Sequence, residues 1–126
     1  MGFILKDMAA ENHELSVNAW NWRPTLAIIE SFGILDAERL EMLGYNIGTE
    51  VAKDEARAIG EKIRDEILPG LNPQSRVLYD LTVTEEKDDG RFFREKEEFW
   101  QNYNASREWL KNFSEFCRSC EGFEVY

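Results

Sequence analysis

The chain has 126 residues, a length that suits one domain spanning residues 1–126, and its 43% apolar content excludes both a disordered and a collagen-like polypeptide. No stretch reaches the roughly 18 consecutive apolar residues that a bilayer-spanning helix needs. The formal charge of −10 is spread evenly, with 11 acids and 6 bases in residues 1–63 and 14 and 9 in residues 64–126, which argues against a nucleic-acid binder and against an anionic membrane surface.

Residues 3–6 and 14–17 read as short strands around the polar stretch Ala9 to His13. The first helix is expected to start near Pro24, whose fixed φ and missing N–H suit a first turn. Trp22, Leu26, Ile29 and Phe32 recur at helical spacing, and Gly33 ends the element. A short second helix follows, with Asp36 as its cap, Leu35 and Leu40 as a hydrophobic staple, and Gly44 as its left-handed end. After the turn Tyr45-Asn46-Ile47-Gly48, the spacing of Ala56, Ile59, Ile63 and Ile67 predicts a third helix over about residues 52–68, stopped by Pro69-Gly70.

Residues 76–84 are β-branched and aromatic enough for a strand, and Glu85 to Gly90 reads as a solvated turn. The last third carries a helical stripe of Phe99, Tyr103, Leu110, Phe113, Cys117 and Cys120, widened by Trp100, Trp109 and Phe116, with Asn104 expected to cap its second part. Gly122 stands where a left-handed cap belongs, and residues 122–126 are expected to form an edge strand beside residues 3–6. The fold expected is α+β: a predominantly helical single domain of four or five helices with a small two- or three-stranded β element.

The residue types that catalysis and metal binding need are present, but not in the patterns those chemistries require. Cys117-Arg-Ser-Cys120 closes a helix, where the dipole favours the protonated thiol over the thiolate of a redox pair. A zinc site needs about four ligands, and the chain adds only His13 to the two cysteines, so both read as small core residues. Registering Glu85 to Gly90 on a calcium loop puts Lys87 and Lys96 at ligand positions, and the comparison fails. His13 reads as a surface histidine, and Glu95, Glu97 and Glu98 as a solvated helix face. The sequence contains no nucleophile elbow, phosphate-cradling glycine loop or His-Glu-x-x-His. It calls for no metal or organic cofactor and names no catalytic residue.

Aromatic and amide-rich turns stand out instead. Trp20-Asn21-Trp22-Arg23 opens the first helix, Tyr45-Asn46 follows the second, and Trp100-Gln101-Asn102-Tyr103-Asn104 precedes Arg107 and Trp109. Asn, Tyr and Arg fix polar ligands, while Trp faces give stacking area, so Trp22, Arg23, Tyr45, Asn46, Asn104, Arg107 and Trp109 are candidate ligand-binding residues if these turns converge. The competing reading makes the tryptophans core fillers and the asparagines caps.

The set Asn21-Trp22-Arg23-Pro24, Tyr45-Asn46-x-Gly48, Asn102-Tyr103-x-Ala105-x-x-Glu108-Trp109-Leu110 and Gly122-Phe123 resembles small uncharacterised bacterial proteins of this size. The resemblance implies a bacterial, cytoplasmic, single-domain protein and carries no activity with it. Cytoplasmic location is also expected because the opening residues lack the basic start of a signal peptide and two cysteines so close make no disulfide framework.

Two functions are then in play. The first is a non-enzymatic acidic binding protein that engages a basic protein partner, as an immunity or regulatory protein does. The alternative is a small-molecule binding protein or enzyme, with Arg23 or Arg107 on an anionic group and Trp22, Tyr45 or Trp109 as walls. A homodimer is expected if the C-terminal aromatic stripe exceeds what one core can cover.

Overall fold

The alternation that turns Phe3 and Leu5 inward and Ile4 and Lys6 outward makes β1 (Gly2–Asp7) a half-buried strand in the computed structural model, which describes residues 2–85 and 102–126. β2 (Glu14–Asn18) returns antiparallel beside it, with Phe3 opposite Val17 and Leu5 opposite Leu15. The C-terminal strand β7 (Phe123–Val125) pairs with the other edge of β1, Leu5 opposite Val125, as the sequence predicts. It is not an edge strand, however. β3 (Thr49–Val51) pairs along its far side, giving the antiparallel order β2-β1-β7-β3.

Asn18 caps α1 (Ala19–Phe32) by accepting from the Asn21 amide, so the helix begins a turn ahead of Pro24. Gly33, at φ 69°, ends it in the left-handed conformation expected there. α2 (Ala37–Met42) has the Asp36 cap that the sequence predicts, but left-handed backbone falls at Gly48 and not at Gly44. α3 (Lys53–Lys62) runs on through a π turn at residues 63–67 and a 3-10 turn at 68–70, close to the predicted span. Arg39 of α2 forms a two-pronged ion pair with Glu55 of α3, tying the short helix down.

Residues 76–84 are a hairpin and not one strand: β4 (Arg76–Leu78) and β5 (Val83–Thr84) enclose the loop Tyr79-Asp80-Leu81. β6 (Asn104–Ser106) pairs with β4, Val77 opposite Ala105, in a second antiparallel sheet of order β5-β4-β6. Asn104 therefore lies in a strand, and Ser106 caps α4 (Arg107–Ser119) by accepting from the Trp109 amide. The α+β class stands, but the β part is not a small two- or three-stranded element. The described residues hold seven strands in two sheets with four α-helices. The physical reason is length: β3, β4, β6 and β7 have three residues each and β5 two, too few to print an alternation on the sequence.

One apolar core joins both sheets to the helices. Trp22, Phe113 and Phe123 are its largest fully buried side chains, and the Phe113 ring meets Trp22 and Phe123 edge-on at 5.7 and 6.2 Å. Trp109, Leu110, Phe113, Phe116 and Cys117 form the buried face of α4, so this part of the C-terminal stripe is covered within the chain. Its earlier part, Phe99 and Trp100, lies outside the described residues, as do Lys87 to Gly90 and Glu95, Glu97 and Glu98.

Candidate functional site

The structure divides the seven candidate residues among separate places. Trp22 is fully buried, and its indole N–H donates to the Leu43 carbonyl at 2.9 Å. Trp109 is 9% exposed, stacks on Phe113 at 5.5 Å and donates its indole N–H to the Thr25 hydroxyl at 2.8 Å. Both are core residues whose polar atoms are satisfied inside. Asn46 donates its side-chain amide to the Gly2 carbonyl at 2.9 Å, holding the turn after α2 to the start of β1. Asn104 accepts from the Arg76 guanidinium at 3.1 Å across the β4–β6 pair. Arg107 opens α4, its amide donates to the Ser75 carbonyl at 3.2 Å, and its Nε is buried with no hydrogen-bond partner among the described residues.

Only Arg23 and Tyr45 meet. They line a cleft of about 360 Å³ between α1 and α2, together with Leu26, Ala27 and Glu30 of α1, Ala37, Leu40 and Glu41 of α2, Gly44 and Tyr79. The α1 residues recur at helical spacing on a face turned away from Trp22, Thr25 and Ile29, which point into the core. Half-buried Leu26 and Leu40 give an apolar floor. Tyr45, 56% exposed, and Tyr79, 43% exposed, stand as aromatic walls. Glu30 and Glu41 are exposed, and neither they nor Arg23 form an ion pair among the described residues.

The Arg23 guanidinium lies 5.8 Å over the Tyr103 ring, which also packs on Trp20 at 4.7 Å and on Tyr79 at 5.9 Å. The cleft therefore continues into an aromatic cluster built by α1, the β4–β5 loop and the residue before β6. Sequence reasoning missed Glu30, Glu41 and Tyr79. The two glutamates carry no spacing that separates them from solvated surface, and Tyr79 is concealed by a hairpin that contains no turn glycine.

The reactive side chains sit elsewhere. His13 bonds Asp7 through Nδ1 at 2.7 Å and packs on Phe116 at 4.8 Å, at the far ends of β1 and β2. Burial pushes the Asp7 carboxyl up, but the amides of Ala9 and Glu121 and the His13 ring outweigh it and hold it below the usual aspartate range. Burial pushes the Cys117 and Cys120 thiols up, the former strongly, which disfavours a thiolate nucleophile.

No helix among the described residues is long and apolar enough to cross a membrane. No protein-family model, curated protein or solved structure matches the chain.

Proposed function

We propose that the protein is a non-enzymatic acidic binding protein that engages a basic protein partner, in the manner of an immunity or regulatory protein, and that the α1–α2 cleft receives a lysine or arginine side chain of that partner. One observation carries the reading. Glu30 and Glu41, each without an ion-pair partner among the described residues, share a recess with the exposed rings of Tyr45 and Tyr79. Carboxylates supply charge for a cation, and tyrosine faces supply quadrupole attraction and contact area. Arg23 leaves the recess with one excess negative charge and offers donors to a partner's backbone carbonyls.

The surroundings support the same reading. Among the described residues, six of the nine exposed large apolar side chains lie on two segments: Met42, Tyr45 and Ile47 on one, Tyr79, Leu81 and Val83 on the other. The apolar surface is thus gathered on the segments that wall the cleft, where a contact with an apolar centre and an acidic rim can form. An exposed ion pair contributes about 0.2–1 kcal/mol and a cation over an aromatic face about 0.5–2 kcal/mol, so one inserted side chain gives a preference between about threefold and about 150-fold. Long-range attraction by the net charge of −10 speeds encounter with basic partners beyond this.

Selection from a random twelve-residue peptide library at low salt tests the proposal. Wild-type protein is expected to enrich sequences containing Lys or Arg, and the Tyr45→Ala/Tyr79→Ala double variant to lose that enrichment. Enrichment of neutral or acidic peptides, or equal enrichment by both proteins, would overturn it.

A further inference from the structure

A second recess opens on the other side of the β4–β5 loop. It has a volume of about 190 Å³ and is lined chiefly by Ile28, Ile67, Leu71, Val77, Leu81 and Val83. Two backbone irregularities border it. Leu81 adopts φ 72°, the single non-glycine residue with positive φ among the described residues. Ile67 closes the π turn, in which the Leu68 amide donates to the Ile63 carbonyl five residues back.

The Leu81 conformation is unusual for its position. The Leu81 amide donates to the Leu78 carbonyl at 2.9 Å and the Leu78 amide to the Thr82 carbonyl at 2.8 Å, a three-residue hairpin loop whose last member is left-handed. Glycine normally fills that place, because a left-handed leucine crowds its Cβ against the backbone. The strain is held by Asp80, whose carboxylate accepts from both the Thr82 amide, at 3.0 Å, and the Thr82 hydroxyl, at 2.6 Å. The leucine so held is 42% exposed at the mouth of an apolar recess. Core packing alone does not account for a strained residue that remains half in water.

We propose that this recess is a second anchor site for the same basic partner segment, taking a leucine- or phenylalanine-sized side chain against Leu81 and Val83. The inference rests on the reading of the first cleft. Tyr79 walls that cleft and Leu81 lines this recess, two residues apart on one loop, while α1 lines both, through Leu26 and Glu30 on one side and Ile28 and Ser31 on the other. A segment whose cation sits beside Tyr79 therefore crosses the loop directly onto Leu81. A cavity of about 150 Å³ lined by aliphatic and aromatic side chains holds a benzene molecule, so the recess admits one aliphatic or aromatic side chain but not two. The partner motif is accordingly bipartite, a cation and an apolar residue at a fixed offset.

The test uses a twelve-residue peptide library with one fixed central lysine, selected separately on wild type and on Leu81→Gly and Leu81→Asn, two residues at home in left-handed backbone. Wild type is expected to select Leu, Ile or Phe at a constant offset from the lysine. Both variants are expected to keep the lysine-dependent binding, lose the apolar preference and bind the leading wild-type peptide about tenfold more weakly, with thermal unfolding close to wild type. Selection of the lysine without an apolar offset, or unchanged affinity in both variants, would overturn this inference and leave the first cleft standing. Self-association of wild type that both variants abolish would assign the recess to a second copy of the chain and also overturn it. Absence of any lysine-dependent binding would remove the first cleft and this inference together.

Discussion

Single residues separate into those that hold the fold and those left free for contact. Trp22 and Trp109 look alike in sequence to Tyr45, yet their indole N–H groups are spent on Leu43 and Thr25 and their rings on Phe113. Trp22→Ala is expected to destabilise the protein by about 3–5 kcal/mol, and Tyr45→Ala by less than about 0.5 kcal/mol, in urea unfolding. Asp7 behaves differently again, because its carboxylate joins three parts of the chain: the Ala9 amide, the His13 ring and the Glu121 amide. Its folded pKa lies below the unfolded value, so its contribution is present above the ordinary aspartate range and is lost as pH falls through and below it. Asp7→Asn is expected to lower stability at neutral pH and to flatten the acid side of the stability profile, read by thermal unfolding between acid and neutral pH. An unchanged profile would show that the clasp contributes nothing.

Elements carry the next scale of constraint, and α3 approaches α4 closely at Gly60. A Cβ there would lie 2.8 Å from the Ser114 carbonyl and 2.9 Å from the Cys117 Cβ, and the Ser114 hydroxyl donates to the Gly60 carbonyl at 2.7 Å. Alanine favours a helix over glycine by about 1 kcal/mol, but backbone this near cannot yield without separating α3 from α4. Gly60→Ala is therefore expected to destabilise by about 1–3 kcal/mol in denaturant unfolding. In the β4–β5 loop the balance is closer. Leu81→Gly relieves about 1–2 kcal/mol of left-handed strain while giving up half-buried leucine surface, and its unfolding free energy should stay within about 1 kcal/mol of wild type.

These elements also show what the sequence could reveal. Helices were legible where apolar spacing and caps agreed, as at Asp36, Gly33 and the α3 stripe, and the β1–β7 pairing was legible from the termini. The hairpin was not, because Leu81 occupies a place that ordinarily advertises itself with glycine or asparagine. The cleft was half legible. Arg23 and Tyr45 come from segments that sequence can mark as chemically rich, the start of α1 and the turn after α2, whereas Glu30 and Glu41 gain meaning only when α1 and α2 face each other.

For the whole molecule, the decisive property is that an acidic chain carries, among the described residues, a recess where aromatic walls and carboxylates coincide. A net charge of −10 attracts any basic peptide to some degree, so salt dependence alone does not distinguish a site from a field. Charge reversal at matched cost does. Glu30→Lys/Glu41→Lys and Glu11→Lys/Glu14→Lys change the net charge equally, but only the first pair lines the cleft. The most direct measurement is the affinity of a library-selected basic peptide for these two double variants and for wild type, at one fixed ionic strength. The account predicts a loss of at least tenfold for the cleft pair and less than about threefold for the distant pair, since a specific contact of about 1.4 kcal/mol is a factor of ten. Equal losses in the two variants would contradict it, because the peptide would then be reading the charge of the molecule and not the cleft.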